Sequence, residues 1–111
     1  MPSSVWGREM TNFKDHERSC AKVIKGKRHP ANSGGRVDVE SETIVAQCKE
    51  RAEISFPEMG RLVAEMEAIG KERGKLGVLF VRHKAGRGFP SPGMVVMSHA
   101  TFEALLERRT T

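Results

Sequence analysis

Closely spaced cysteine pairs and long apolar runs are missing from this sequence. The chain has 111 residues and two cysteines, Cys20 and Cys48, and no CxxC pair, so the spacing of a structural zinc site is absent. No apolar run approaches the length of a membrane-spanning helix, and residues 1–11 hold no run typical of a secretion signal. We therefore expect a reduced, cytoplasmic protein without a membrane partner.

Two other catalytic patterns are also missing. The GxxxxGK[ST] spacing of a phosphate-binding P-loop does not occur. The four histidines are scattered, and no nucleophile can be matched to any of them from the sequence. We therefore expect His16, His29, His83 and His99 at the surface, with His29 and His83 as possible contacts to phosphate.

Positively charged residues outnumber negatively charged ones. Lysine and arginine number 19 against 14 acidic residues, which gives a net charge of +5 and a pI near 9.6. Apolar residues make up 38% and charged residues 30% of the chain, a balance typical of a folded domain. A basic surplus favours an anionic partner, most often nucleic acid, although many small basic proteins have no such partner.

The apolar pattern predicts a loose arm over residues 1–11, which contains Trp6, followed by a single domain over residues 12–109. Helices are expected where apolar residues recur at helical spacing, and strands where they alternate or are β-branched. In chain order we expect a helix over 12–25, a short edge strand near 28–31, a hairpin of 36–42 with 43–49, a helix after Ser55, strands over 76–81 and 94–97, and a helix after Ser98. This order predicts an α/β fold, a mixed β-sheet flanked by helices.

The same pattern predicts which side chains face the core. Gly26 is expected to end the first helix. Alternation predicts that both apolar residues of the first hairpin strand lie on one face, and helical spacing predicts inward positions on the later helices. These expected core residues are Val37 and Val39, Phe56, and Phe102 with Leu106.

The hairpin holds the most informative group of polar residues. A turn centred between Glu42 and Thr43 would place Asp38 opposite Gln47, with Glu40 and Lys49 on the same face. Hard oxygen ligands bind Mg²⁺ or Mn²⁺, and a nearby lysine can orient a water or stabilise negative charge. The group therefore predicts phosphodiester hydrolysis, whereas the simpler interpretation is a solvated face of a two-stranded ribbon.

These residues resemble a known signature. Val37-Asp38 followed by Gln47-Cys48-Lys49 is similar to the core of the PD-(D/E)xK nucleases, in which an Asp at the end of one strand precedes a (D/E)xK tripeptide on the next. Glu17 on the first helix resembles the helix-borne Glu of that superfamily. With the Ser33-Gly34 turn, the layout over residues 14–106 most resembles archaeal and phage-type Holliday junction resolvases.

The resemblance implies a fold, an activity and partners. It implies a restriction-endonuclease-like sheet and cleavage of DNA, with four-way junctions as the leading substrate, in a bacterial or archaeal cell or one of its viruses. Two strands must be cut symmetrically, which implies a homodimer. Candidate interfaces are the last helix, the strand over 94–97 and the Trp6 arm.

It also implies roles for individual residues. Asp38 would be the main ligand of Mg²⁺ or Mn²⁺, with Gln47, the Cys48 carbonyl and Glu17 completing the shell. Lys49 would position the attacking water, and Ser33 would lie near the phosphate. Asp38→Ala is then expected to abolish cleavage while DNA binding persists.

Gln47 departs from the pattern, which asks for Asp or Glu at that position. An amide still offers an oxygen to a metal but brings no charge, and Glu40 on the same face could supply the missing carboxylate. One alternative is an inactive, non-catalytic DNA-binding module. Another is a nuclease of the same fold that acts on nicks, flaps or duplex ends.

Basic side chains on both sides of the hairpin are the expected phosphate contacts. They form one group before the hairpin, one at its ends and one in the loop that follows the central strand. The predicted DNA-binding residues are Lys25, Lys27, Arg28, His29, Ser33, Arg36, Arg51, Arg82, Lys84 and Arg87.

Overall fold

The protein's structure, a computed structural model, describes residues 13–29, 36–84 and 92–110. The predicted arm over 1–11 with Trp6, the Ser33-Gly34 turn and Arg87 lie outside these ranges. The elements in chain order are α1 (Phe13–Val23), β1 (Lys27–Arg28), β2 (Val39–Glu40), β3 (Ile44–Arg51), α2 (Phe56–Arg73), β4 (Leu76–His83), β5 (Gly93–Val96) and α3 (His99–Thr110).

The strands form one mixed sheet in the order β1-β2-β3-β4-β5. The β3–β4 pair is parallel and the other three pairs are antiparallel. A parallel pair needs a crossover connection, and α2 supplies it between β3 and β4. The predicted α/β fold with a mixed sheet and flanking helices is therefore confirmed.

The sheet has apolar clusters on both faces, and a different helix packs on each face. Cys20 and Ala21 of α1 pack with Ala46 and Cys48 of β3 and with Phe80 of β4. On the other face, residues of α2 pack with the alternate residues of the same strands, Val45, Leu79 and Val81. Even-numbered residues of β3 therefore face α1, and odd-numbered residues face α2.

The predicted hairpin register is confirmed, but the alternation before it is not. Val39 pairs with Ala46 and Glu40 with Val45. The backbone N–H of Asp38 also donates to the Ala46 carbonyl at 2.9 Å, so two successive residues oppose one, as in a β-bulge. As a result Val39 packs on the α1 side while Val37 packs with Val45 on the α2 side. The expectation that Val37 and Val39 share a face was wrong.

The turn after α1 is made by two residues rather than by the predicted Gly26 stop. Lys25 has the left-handed conformation, with φ 56°. Gly26 is required for close packing, because a Cβ there would lie 2.2 Å from the Glu40 carbonyl oxygen. Gly26 therefore lets the start of β1 lie directly against β2.

α2 begins after Ser55, as the sequence predicted. The Ser55 hydroxyl accepts the Glu58 N–H at 3.2 Å, and Gly74 ends the helix with φ 68°. The Glu58 carboxylate does not complete a capping box, because it accepts instead from the Arg51 guanidinium at 3.1 Å. This contact joins the first turn of α2 to the end of β3.

Three predicted core residues are exposed. Phe56 is 85% exposed, Phe102 53% and Leu106 47%. Helical periodicity predicts the direction of a side chain, but not whether a neighbouring element extends far enough to cover it. The expectation of burial at these three positions was wrong.

Candidate metal-binding site at the hairpin

Asp38 is held at the bulge by backbone contacts on both sides. Its Oδ2 accepts the Cys48 backbone N–H at 2.8 Å. Its own N–H donates to Ala46, and its carbonyl accepts the His29 N–H at 2.8 Å. The pairing of β2 with β3 begins only at Val39. The Cys48 N–H therefore bonds to the Asp38 side chain instead of to a backbone carbonyl of β2. The carboxylate is thereby fixed beside the QxK tripeptide.

The electrostatic state of Asp38 fits a ligand rather than an ion-paired surface residue. Burial raises the pKa of this carboxyl, and the Cys48 N–H and the Lys49 charge offset the rise only in part. No salt bridge to Asp38 occurs among the described residues. A carboxylate held partly out of water without a directly paired cation gains stability from a nearby positive charge.

Glu17 lies close enough to Asp38 for the two carboxylates to repel each other. Burial raises the pKa of Glu17, and the charge of Asp38 raises it further. Arg28 offsets part of this effect, with its Nε 3.6 Å from Glu17 Oε1. The structure therefore brings the helix-borne Glu and the hairpin Asp together, as the sequence predicted.

Gln47 and Lys49 lie on the α2 side of β3 by strand alternation. The Gln47 amide oxygen Oε1 is buried and has no hydrogen-bond partner among the described residues. Lys49 is near enough to lower the pKa of Asp38. A buried amide oxygen without a donor is costly, by about 1–3 kcal/mol, unless something else satisfies it.

The oxygen donors are of the kind that a hard divalent cation binds, but they do not all lie on one side of the sheet. Asp38 supplies a carboxylate at the β2 edge of β3, and the Cys48 carbonyl points to the same edge as the N–H that binds Asp38. Gln47 lies on the α2 side, whereas α1 with Glu17 covers the other face, so the predicted common face for the whole set is not confirmed. Glu17 adds a second carboxylate within electrostatic range. No group of three or more His, Cys, Asp or Glu suited to a metal occurs in the described ranges.

Glu40 does not supply the missing carboxylate. Its Oε1 accepts from His29 Nε2 at 2.9 Å and from Arg73 at 2.7 Å, and its Oε2 accepts from Lys75 Nζ at 2.6 Å. Although burial works against it, the contacts with Lys75, His29 and Arg73 lower the pKa of Glu40. Both oxygens are occupied, so the expected catalytic role of Glu40 is wrong.

The predicted phosphate contacts fall into two groups, apart from Ser33 and Arg87, which the structure does not describe. Lys25, Lys27, Arg36 and Lys84 are exposed, although Arg36 lies 3.8 Å from the Glu65 carboxylate. The others are engaged by carboxylates: Arg28 with Glu17, His29 with Glu40, Arg51 with Glu58, and Arg82 with Glu50.

Arg82 in particular is not a surface contact. Its side chain is 3% exposed and forms an ion pair with Glu50, its register partner across the parallel β3–β4 pair. The expectation that Arg82 binds phosphate is therefore wrong. Its charge stabilises the α1 side of the sheet behind the site.

A buried His–Cys–Cys group under the site was not predicted as a unit. His16 is 1% exposed, contrary to the expected surface position, and its Nδ1 lies 3.7 Å from the Cys20 sulfur. Hydrogen bonding to Cys48, aided by His16, lowers the pKa of Cys20 to about 6, and the same contact raises that of Cys48. The four-residue spacing of His16 and Cys20 on one helix is the sequence feature from which their contact could have been predicted.

Comparison of this chain with family models, with curated proteins and with solved structures found no match. Within the ranges that the structure describes, no helix is long and apolar enough to cross a membrane. The interpretation of the site therefore depends on its own geometry and chemistry.

Proposed function

We propose that this protein is a Mg²⁺- or Mn²⁺-dependent DNA endonuclease of the PD-(D/E)xK type that cleaves branched DNA. The main support is the bond from the Cys48 N–H to the Asp38 carboxylate, on a strand whose preceding residue, Gln47, has a buried unsatisfied oxygen. Glu17 and Lys49 act on the same carboxylate through their charges. One acidic ligand, one neutral oxygen, a second acid and a lysine are the parts that hydrolysis of a phosphodiester needs.

Each residue has a distinct task in this proposal. Asp38, Gln47, the Cys48 carbonyl and Glu17 would hold the ion, which when bound polarises the phosphate and makes a coordinated water more acidic. Lys49 Nζ donates a hydrogen bond to the attacking water or to a phosphate oxygen, and so orients the one or stabilises charge on the other. The Cys48 N–H holds Asp38 in a single orientation, which limits the reorganisation needed during reaction.

The order of the elements agrees with the resemblance seen in the sequence. A helix with Glu17 is followed by the strand end with Asp38, the strand with Gln47 and Lys49, and then helix, strand, strand and helix. The short QxK motif is degenerate, so this ordered set supports the proposal more than any single tripeptide does.

We also propose that the enzyme is a homodimer. Symmetric cleavage of a junction needs two sites related by a two-fold axis. The expected interface elements, β5 and α3, expose Met94, Val95, Phe102 and Leu106 at 45–53%. β5 is an edge strand of the sheet, and exposed apolar side chains at a sheet edge favour burial against another chain.

Cleavage assays on labelled DNA test the activity. We expect nicking of a four-way junction, more than of a flap or linear duplex, with Mg²⁺ or Mn²⁺ and none with chelator. Asp38→Ala should cut at least 100-fold more slowly, since one catalytic electrostatic group contributes about that much, yet bind the junction normally. Glu42→Gln, which changes an exposed carboxylate of the same hairpin, is the matched control and should cut normally. Normal cleavage by Asp38→Ala would refute the proposed site.

A second candidate function is a non-catalytic DNA-binding module. The neutral Gln47 favours it, because loss of a charged ligand weakens metal binding. Such a module would bind the junction in chelator with the same affinity as in Mg²⁺ and would nick none of the substrates.

A further inference from the structure

Phe56 is an aromatic side chain that the described fold leaves uncovered. It is 85% exposed, the highest value among the large exposed apolar residues. Isolated exposed apolar residues are common on protein surfaces and need no special explanation. The position of Phe56 relative to the proposed site distinguishes it from Val23, which is 66% exposed at the end of α1.

Helical spacing assigns Phe56 to the stripe of α2 that faces the sheet. Phe56 precedes Met59 by three residues and Val63 by seven, which is the spacing of one helical stripe. Met59 and Val63 pack against the sheet residues Leu79 and Val81. Phe56 belongs to the same stripe by spacing, but it lies in the first turn of α2 and is 85% exposed. The sheet residues that cover Met59 and Val63 therefore do not cover the Phe56 ring.

The first turn of α2 is joined to the strand that holds the site. Glu58, two residues after Phe56, accepts from Arg51 at 3.1 Å. Arg51 lies on the same side of β3 as Lys49 and Gln47, and successive same-side residues of a strand are about 7 Å apart. The ring thus lies on the order of 15 Å from Lys49, a distance that a few nucleotides of a bound strand would span.

We propose that Phe56 stacks on an unstacked base next to the branch point of the DNA and so selects branched over linear substrates. This inference rests on the proposed nuclease function. In a linear duplex each internal base is stacked on both sides, whereas a branch point offers exposed base faces that an aromatic ring can cover. The cationic Lys49 on the adjoining strand would hold the backbone of the same nucleotides.

Four variants of the full chain test the proposal. Phe56→Ala and Phe56→Leu remove the ring, Phe56→Trp keeps an aromatic, and Val23→Ala removes exposed apolar surface elsewhere. Binding to a labelled four-way junction and to a linear duplex of equal length is measured in chelator, and nicking is measured with Mg²⁺. A 2-aminopurine at the branch point reports stacking directly through its fluorescence.

Loss of one stacked base corresponds to about a 5- to 150-fold weaker affinity. We expect that loss for the junction in Phe56→Ala and Phe56→Leu, with less than a twofold change for the duplex. Phe56→Trp and Val23→Ala should bind both substrates as the unmodified protein does. The fluorescence change of 2-aminopurine on binding should disappear in the two variants without a ring.

The outcomes separate this inference from the proposed function. If the unmodified protein nicks junctions and Phe56→Leu binds and nicks them equally well, the stacking role is refuted while the nuclease remains. Equal losses on junction and duplex, or a fall in thermal stability that explains the loss, would also refute it, because the ring would then support the fold. If the unmodified protein binds no DNA, both proposals fail together.

Discussion

Substitution of Gln47 gives the sharpest separation between a metal ligand and an ordinary strand residue. Gln47→Glu adds a negative charge to a site where the pKa of Asp38 and of Glu17 is already raised. Gln47→Met has a similar volume but removes the amide oxygen, which is buried without a partner in the described structure. The two substitutions should therefore have opposite effects on the metal-free protein.

The size of each effect follows from the geometry. The bulge takes Asp38 out of the regular register, and its carboxylate bonds to the N–H of Cys48, so residue 47 is a diagonal neighbour about 7 Å away. Two like charges at about 7 Å in an effective dielectric of about 20 repel by roughly 2 kcal/mol, and partial solvent exposure reduces this to roughly 1–2 kcal/mol. Gln47→Met relieves the cost of an unsatisfied buried oxygen, about 1 kcal/mol or more.

Thermal unfolding with chelator and with increasing Mn²⁺ measures both effects. For a domain of this size 1 kcal/mol corresponds to about 4–8 °C in Tm. In chelator we expect Gln47→Glu to melt about 5–10 °C lower and Gln47→Met a few degrees higher than the unmodified protein. With Mn²⁺ the order should reverse, because the added carboxylate should tighten metal binding about tenfold or more. The same order of Tm with and without Mn²⁺ would refute the assignment of Gln47 as a ligand.

Three further predictions concern charge and packing. The raised pKa of Asp38 means that the folded state holds its proton more tightly than the unfolded state, so this group costs stability as the pH rises above its ordinary pKa. Asp38→Asn should therefore unfold at higher urea than the unmodified protein at pH 7 in chelator, with the difference vanishing below about pH 4; no difference at pH 7 would contradict this. Arg82→Ala leaves the Glu50 carboxylate without its buried partner and should cost about 3 kcal/mol in urea unfolding, whereas a cost below about 1 kcal/mol would mean that the pair is effectively exposed. Gly77→Ala on β4 would place a Cβ 2.0 Å from a main-chain oxygen of α2 and should cost about 1–3 kcal/mol or more of stability. Gly60→Ala on α2, where the added Cβ meets open space, should stabilise the protein by about 0.5–1 kcal/mol. Equal effects of the two substitutions would refute the close approach of β4 to α2.

The hairpin register could be predicted from the sequence because local chemistry determines it. The Ser41 hydroxyl accepts from the Ile44 N–H at 3.1 Å and from the Thr43 N–H at 3.3 Å, which fixes the turn. Side-chain alternation along β3 then follows from its pairing with β2. The bulge at Asp38 could not be predicted in this way, because it depends on a contact with Cys48, ten residues away in the chain.

The errors at Glu40, Arg82 and Phe56 have related physical causes. Arg73 and Lys75 reach Glu40 from the end of α2, and Glu50 reaches Arg82 across a parallel strand pair. Such partners are distant in sequence, so charge patterning along the chain does not identify them. Phe56 falls on the inward stripe by helical spacing, but spacing does not tell whether another element covers the first turn of α2.

Paramagnetic broadening by Mn²⁺ tests most directly whether Glu17, Asp38, Gln47 and Cys48 form one metal site. At substoichiometric Mn²⁺, backbone amide signals of these four residues should broaden first in the NMR spectrum of the unmodified protein, and Asp38→Asn should abolish the selectivity. Broadening centred on other acidic residues, or uniform weak broadening that Asp38→Asn leaves unchanged, would contradict the metal site on which the proposed nuclease depends.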